Sequence, residues 1–270
     1  MDANAAIGVF DSGLGGLTVA RAIRAALPDE RLVYLGDTAR VPYGTRSAHT
    51  VIRYARSCAA HLQRRGIKAL VVACNTVSAV ALDMLRVELD MPVLGVIGPG
   101  ARAGVAATRT GKLGVIATRG TIASGAYVRA VASIRSRVEV VGQAAPLLVP
   151  LAEEGWISGE VPERAVERYL EPLAEAGVDA VVLGCTHYPL LRPVIETVGA
   201  RMFPSGLTLA DGAEATAAEL ATLLTERELR GAGPGGLEML VTDLPDRFAE
   251  VASRFLGEDV EGLAVKQVDL

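Results

Sequence analysis

The sequence predicts an α/β protein of two similar domains, each a mainly parallel sheet flanked by helices, with a functional site in the cleft between them. Short apolar runs alternate with helical patterns along most of the chain, the arrangement that builds parallel sheets. Two such runs, residues 66–76 (Gly-Ile-Lys-Ala-Leu-Val-Val-Ala-Cys-Asn-Thr) and 177–187 (Gly-Val-Asp-Ala-Val-Val-Leu-Gly-Cys-Thr-His), each place a cysteine eight residues after a glycine. The early strand pattern also returns. Residues 6–12 recur in layout at 112–118 and residues 31–36 at 137–142, both 106 residues on, and the cysteine runs recur at 111. Ordered recurrence at nearly one spacing indicates a duplicated βα unit.

Taken in order, Ile7 to Phe10 is a strand, Asp11-Ser12-Gly13-Leu14-Gly15-Gly16 a turn, and Leu17 to Leu27 a helix stopped by Pro28. A strand at 32–35 leads into a loop through Asp37 and Val41-Pro42-Tyr43-Gly44. From His49 to Arg65, Val51, Tyr54, Ala55, Cys58 and Leu62 share one helical face, so Cys58 is expected in the core and His49 and His61 in solvent. The first cysteine strand follows, then a helix at 78–88 and a strand at 92–97. Gly98-Pro99-Gly100 breaks the pattern and marks the first crossing between domains.

The second half continues with strands at 112–118 and 137–142, a helix at 163–174, the Cys185 strand, and a helix opened by Pro189. A strand near 207–211 precedes a helix at 213–224. Gly231 to Gly236 is read as a flexible linker, and a strand at 237–242, a helix at 246–256 and a strand at 263–268 close the chain. This tail is expected to return to the first domain, giving one domain of 1–97 plus 210–270 and another of 98–209.

Composition limits the function classes. Half of the 270 residues are hydrophobic, enough for a sizeable core. A net charge of −4 argues against a nucleic-acid-binding surface. Three cysteines, Cys58, Cys74 and Cys185, are too few for a disulfide framework and fit a reducing compartment. The N-terminus lacks a signal-peptide pattern and no apolar stretch is long enough to span a bilayer, so a cytoplasmic protein without a membrane anchor is expected.

The chemistry converges on Cys74 and Cys185. A cysteine where a buried strand turns into a helix sits in the crevice where open α/β sheets bind ligands, and the helix start favours thiolate. If the halves are duplicates, the two thiols approach one cleft from opposite sides as paired acid/base groups. Asp11 and His187, also at strand ends, could hydrogen-bond a neighbouring thiol. Buried free cysteines at tight turns are often only structural, but equivalent placement in a repeat argues against that here.

Other chemistries fit less well. No paired metal-ligand spacing accompanies Cys74, Cys185 and His187, so no metal is expected. Gly13-Leu14-Gly15-Gly16-Leu17-Thr18, with Asp37 after the next strand, is close to a dinucleotide fingerprint. Its third glycine is replaced by Thr18, and Asp11 puts a carboxylate where a pyrophosphate would lie. Pyridoxal phosphate needs a lysine, and neither Lys68, Lys112 nor Lys266 ends a strand. Carbanion chemistry here would be cofactor-free.

The chain closely resembles glutamate racemases of the cofactor-independent amino-acid racemase family. The matching stretches are residues 8–19 (Gly-Val-Phe-Asp-Ser-Gly-Leu-Gly-Gly-Leu-Thr-Val), 34–44 (Tyr-Leu-Gly-Asp-Thr-Ala-Arg-Val-Pro-Tyr-Gly), 73–76 (Ala-Cys-Asn-Thr) and 183–191 (Leu-Gly-Cys-Thr-His-Tyr-Pro-Leu-Leu). The resemblance implies interconversion of L- and D-glutamate, with Cys74 acting on the D form and Cys185 on the L form. It implies assisting roles for Asp11, His187 and Glu153, and substrate contacts from Asp11, Ser12, Tyr43, Gly44, Asn75, Thr76, Thr186 and His187. It further implies no cofactor, a homodimer, glutamate as the small-molecule partner, and D-glutamate supply for peptidoglycan synthesis and hence cell shape. The family often has a cysteine where this chain has Ala145 and a serine where it has Gly212; neither touches the proposed chemistry, though Gly212 bears on substrate contacts. The competing classes are an NAD-dependent oxidoreductase and a non-catalytic binding or regulatory protein with the same cleft.

Overall fold

The computed structural model describes residues 2–243, 245–257 and 265–270. In the first half, β1 (Ile7–Asp11), α1 (Leu17–Ala26), β2 (Arg31–Gly36), α2 (Ala48–Arg64) and β3 (Ala69–Val72) are followed by α3 (Asn75–Val80), α4 (Leu82–Glu88) and β4 (Val93–Gly95). Then come α5 (Ile97–Ala107), β5 (Lys112–Ala117), α6 (Arg119–Ala123), α7 (Ala126–Ile134), β6 (Glu139–Ala144), α8 (Leu148–Glu153), α9 (Glu160–Glu175) and β7 (Ala180–Gly184). The chain ends with α10 (Arg192–Met202), β8 (Thr208–Asp211), α11 (Gly212–Glu226), β9 (Gly236–Val241), α12 (Pro245–Leu256) and β10 (Val265–Gln267). Leu263, the start of the last expected strand, lies outside the described residues. No described helix is long and apolar enough to cross a membrane.

Two parallel sheets result, ordered β10-β9-β2-β1-β3-β4 and β6-β5-β7-β8. The central strands β1, β3 and β7 are buried along their whole length, and β5 is buried after its exposed first residue Lys112, which is why they read as apolar runs. The shared order of β2-β1-β3-β4 and β6-β5-β7-β8 is the architectural form of the repeat. Its registers agree for one pair: Ile7 faces Ala69 and Leu113 faces Ala180, offsets of 106 and 111 residues. The other pair has slipped. Ile7 faces Leu32 but Leu113 faces Val140, so β6 is displaced 108 residues from β2 rather than 106. A two-residue slip keeps every side chain on its own face. β6 is also an exposed edge strand, with little burial to hold a register.

The tail returns to the first sheet, where β9 pairs with β2 and β10 with β9. Phe248, Ala252, Phe255 and Leu256 of α12 join the core formed by α1, β1, β2 and β3. The supposed linker is anchored: the Gly231 N–H donates to Glu30 at 2.8 Å. Glu30 in turn pairs with Lys68, whose ammonium also donates to the Ala3 carbonyl at 2.6 Å, and both side chains are fully buried.

Gly98-Pro99-Gly100 lies inside α5 instead of breaking the chain. Pro99 is the third helical residue, where its missing N–H had no helical partner anyway. The small residues serve packing: a Cβ on Gly104 would lie 2.5 Å from Val182 and 2.9 Å from Leu113, so glycine lets α5 lie directly on the second sheet. The helix expected from Ser78 starts at Asn75, directly after Cys74, and is interrupted at Ala81.

Candidate active site

Every strand in both sheets is parallel within its sheet, so the turns after β1, β3, β5 and β7 emerge on matching edges. They meet around a cavity of about 350 Å³ lined from both halves of the chain. Cys74 and Cys185 both line it, each only 6% exposed. So do Ser12, Tyr43, Gly44, Asn75, Thr76, Glu153, Thr186 and His187. Asp11 does not; it ends β1 behind Ser12, and is 1% exposed.

Cys74 is the residue on which α3 begins, with an extended backbone. Its thiol donates to Ser12 Oγ at 3.5 Å. The helix start was expected to favour thiolate, and the opposite effect dominates. Burial pushes the Cys74 thiol up to about 12, the Asp11 charge adds to this, and the Ser12 hydroxyl and Val77 N–H only partly oppose it. Near neutral pH Cys74 is therefore a protonated acid.

Cys185 is embedded in a different set of partners. His187 Nδ1 lies 3.8 Å from its sulfur, and His187 Nε2 donates to Glu153 Oε1 at 2.9 Å. Burial pulls the imidazolium down, but the hydrogen bonds to Cys185 and Glu153 outweigh it and raise His187 to about 10. A charged imidazole beside a thiol is the partner a thiolate requires. The two thiols therefore stand in unlike surroundings, one set up to give a proton and the other paired with a cation.

Asp11 links the two sides. Its Oδ2 accepts from the Gly13 N–H at 3.0 Å, while Oδ1 is buried without a hydrogen-bond partner among the described residues. Burial raises its carboxyl, and attraction to His187 opposes the rise.

The glycine turn is shaped by protein rather than by a dinucleotide. A Cβ on Gly15 would collide with the Thr186 hydroxyl and the His187 ring. Thr18 Oγ1 donates to the Thr186 carbonyl at 3.0 Å, so the turn after β1 is fitted to the turn after β7. Asp37 is fully buried and accepts hydrogen bonds from Tyr43, from Arg40 at 3.0 Å and from Thr242 at 2.9 Å. It fixes the Tyr43-Gly44 segment instead of reaching a ribose. Among the described residues no group of three or more His, Cys, Asp or Glu side chains could hold a metal ion.

Several residues went unnoticed in the sequence. Thr118 and Arg119 line the cavity with Pro146, Val149 and Pro150. The repeat could have found Thr118, which stands 106 residues after Ser12. Its hydroxyl lies 3.0 Å from those of Thr76 and Thr121. Tyr127 donates to Asn75 Oδ1 at 2.8 Å. Cys58 is a fully buried core residue as expected. His49 is exposed, but His61 is half-buried with the Asp269 backbone beside it, and its Nε2 has no hydrogen-bond partner among the described residues. Ala145 is buried, its carbonyl accepting from Tyr188 at 2.8 Å, and Gly212 opens α11 against Gly100.

Comparison with known proteins places this arrangement. The family model for Asp/Glu/hydantoin racemases matches residues 17–220. A glutamate racemase from Geobacter metallireducens is 53% identical over 255 residues, 93% of each chain. Among solved structures, a glutamate racemase from Bacillus anthracis aligns with a TM-score of 0.90 at 38% identity over 98% of both chains. One from Francisella tularensis, in complex with D-glutamate, aligns with a TM-score of 0.90 at 34% identity, covering 99% of this chain and 98% of that one. Sequence, fold and comparison agree that the chain belongs to the Asp/Glu/hydantoin racemase family.

Proposed function

We propose that this enzyme interconverts L- and D-glutamate without a cofactor, using Cys74 and Cys185 on opposite faces of the α-carbon. The observation that carries this reading is the convergence of two thiols, from equivalent turns of a duplicated fold, on one cavity.

With L-glutamate bound, the Cys185 thiolate removes the α-proton, and the electron pair left on the α-carbon spreads into the adjoining carboxylate. Cys74 then delivers its own proton to the opposite face. The products are D-glutamate, a Cys74 thiolate and a Cys185 thiol. The reverse reaction uses the same groups with exchanged roles. Removing a proton from Cys74 is unfavourable chiefly because the thiol is buried, with the Asp11 charge behind Ser12 adding to this, and a substrate ammonium brought into the cavity offsets part of that charge. Because the α-proton is far less acidic than a thiol, the carbanion needs preorganised donors in a water-excluded cavity. The hydroxyls of Ser12, Thr76, Thr118 and Thr186, the Asn75 amide and the turn N–H groups are the available ones.

On this reading residues 1–97 with 210–270, and residues 98–209, are two bodies that close on the substrate, the second also keeping Ala210 and Asp211, which finish its strand β8. The protein works in the cytoplasm as a homodimer and supplies D-glutamate for peptidoglycan synthesis.

The test is to incubate purified, cofactor-free protein with D-glutamate in D₂O, following optical rotation and α-deuteration. Racemisation and exchange are expected from either enantiomer. Cys74→Ala and Cys185→Ala should each abolish racemisation, and wild-type turnover by either variant would refute the two-thiol assignment. A nicotinamide-dependent absorbance change without racemisation would favour the oxidoreductase reading instead.

A further inference from the structure

We propose that the C-terminal helix α12 is a positioning element of the site, with Phe255 and Arg254 together holding the His187–Glu153 pair in place against Cys185. The inference rests on the two-thiol reading above, in which that pair serves Cys185. By packing, α12 belongs to the first sheet, since its apolar residues join that core and it lies against α1. Its last turn nevertheless reaches His187, Glu153 and Gly155 of the second half.

Phe255 is fully buried and meets the His187 ring edge-on, with centroids 5.3 Å apart and planes at 83°. Both ring nitrogens of His187 stay free for Cys185 and Glu153, while the Phe255 ring forms a fixed wall beside the imidazole. Arg254, the preceding residue, donates Nη1 to the Glu153 carbonyl at 2.7 Å. Its guanidinium also lies against Gly155, where a Cβ would stand 3.0 Å from it and where φ is +75°. Glu153 ends the short helix α8, and its side chain is 40% exposed, so its own surroundings confine it weakly. The backbone hydrogen bond from Arg254 supplies the missing restraint.

Two adjacent residues of one helix thus fix both members of the pair, the imidazole by a ring contact and the carboxylate through its backbone. Neither lines the cavity itself, so they act through the lining residues His187 and Glu153 and not on substrate. Because α12 packs with the first half while His187 and Glu153 belong to the second, this alignment exists only when the halves are docked as seen here.

The experiment uses Arg254→Ala, Arg254→Lys and Phe255→Leu in the full-length chain. Three readings are taken from each: kcat and KM for both glutamate enantiomers, the urea midpoint, and the His187 ring N–H resonance in ¹⁵N-histidine-labelled protein, assigned with His187→Asn. Arg254 is exposed, so Arg254→Ala is expected to fold with an unchanged midpoint. Its kcat should fall about tenfold or more with KM little changed, because a small misplacement of a catalytic group has effects of that size. The His187 Nε2–H resonance should broaden in Arg254→Ala and Phe255→Leu, and Arg254→Lys should restore both signal and rate. A kcat and a resonance both unchanged in Arg254→Ala would overturn the proposal, even if Phe255→Leu fails to fold. An inactive wild type whose resonance still responds to Arg254→Ala would count against the racemase reading and in favour of the positioning role.

Discussion

The hydroxyls of Thr76 and Thr118 lie 3.0 Å apart, although one residue opens the helix after the first cysteine and the other follows the equivalent of β1 in the second half. Thr121 completes a triangle, 3.3 Å from Thr76 and 3.0 Å from Thr118. Tyr127 and Asn75 make a second bridge between the halves beside it. The cavity is therefore closed on this side by polar contacts that can also turn toward a substrate carboxylate.

Thr118→Val keeps the shape of the side chain and removes the hydroxyl from this triangle. A hydrogen bond to a charged group contributes about 1.5–3 kcal/mol, so KM for glutamate should rise roughly tenfold or more while kcat changes less. Polarimetric kinetics over a range of glutamate concentrations would show it. An unchanged KM would remove Thr118 from substrate binding.

Gly15→Ala tests the fit between the turns after β1 and β7. The added methyl has nowhere to go except against Thr186 and His187. Displacement of His187 breaks its alignment with Cys185, so kcat/KM should fall about a hundredfold. Gly159→Ala, where a Cβ meets nothing within 4 Å, is the comparison for a local effect of glycine replacement, its own φ of +92° bringing backbone strain without any contact to the site. Activity of Gly15→Ala within threefold of wild type would show that the turns have room to separate.

What could be read from the sequence was whatever local pattern encodes. The cysteine turns were visible because a strand buried on both faces has a distinctive apolar run, and because duplication repeats the signal. Asp11 was visible at its own strand end, whereas Ser12, Asn75 and Thr186 came only with the resemblance to the racemase family. Gly98-Pro99-Gly100 misled because helix propensity was weighed without position, and proline is harmless in a first turn. The slip of β6 was hidden because an exposed edge strand carries too weak a pattern to show register. Asp37 was noticed for the wrong reason, since only the fold brings Tyr43, Arg40 and Thr242 to it. Arg254 and Phe255 left no signal at all: their contacts join segments far apart in sequence, and nothing local in a C-terminal amphipathic helix marks them.

The buried Lys68–Glu30 pair should matter to stability and not to catalysis. It sits where β2 begins and where β3 is approached, at the opposite end of the sheet from the cysteine turns, and ties Ala3 and Gly231 to the core. Lys68→Met leaves the Glu30 carboxylate buried beside a single N–H donor, and breaking such a pair costs about 3–5 kcal/mol. Replacing both partners by apolar residues should recover much of that loss. Urea denaturation of Lys68→Met and of Lys68→Met with Glu30→Leu decides the matter, and a single variant as stable as wild type would show the pair to be dispensable.

The raised proton affinity of His187 predicts a stability profile of definite sign. In the folded protein its hydrogen bonds to Cys185 and Glu153, working against burial, hold the imidazolium to about pH 10. In the unfolded chain a histidine titrates near 6.5, so across that interval the folded state binds the proton that the unfolded state has lost. The contribution is complete below about pH 6.5 and is lost as pH rises toward 10. Cys74 acts in the same direction at higher pH, because its thiol is held to about 12 in the folded state against about 8.5 in the unfolded chain. The interval between pH 6.5 and 8.5 therefore isolates histidine. Wild-type urea midpoints should decline across it, and His187→Gln, which can still hydrogen-bond Glu153, should decline less. Equal slopes for the two proteins would mean that the imidazole is neutral beside Cys185, and the thiolate would then need a different partner.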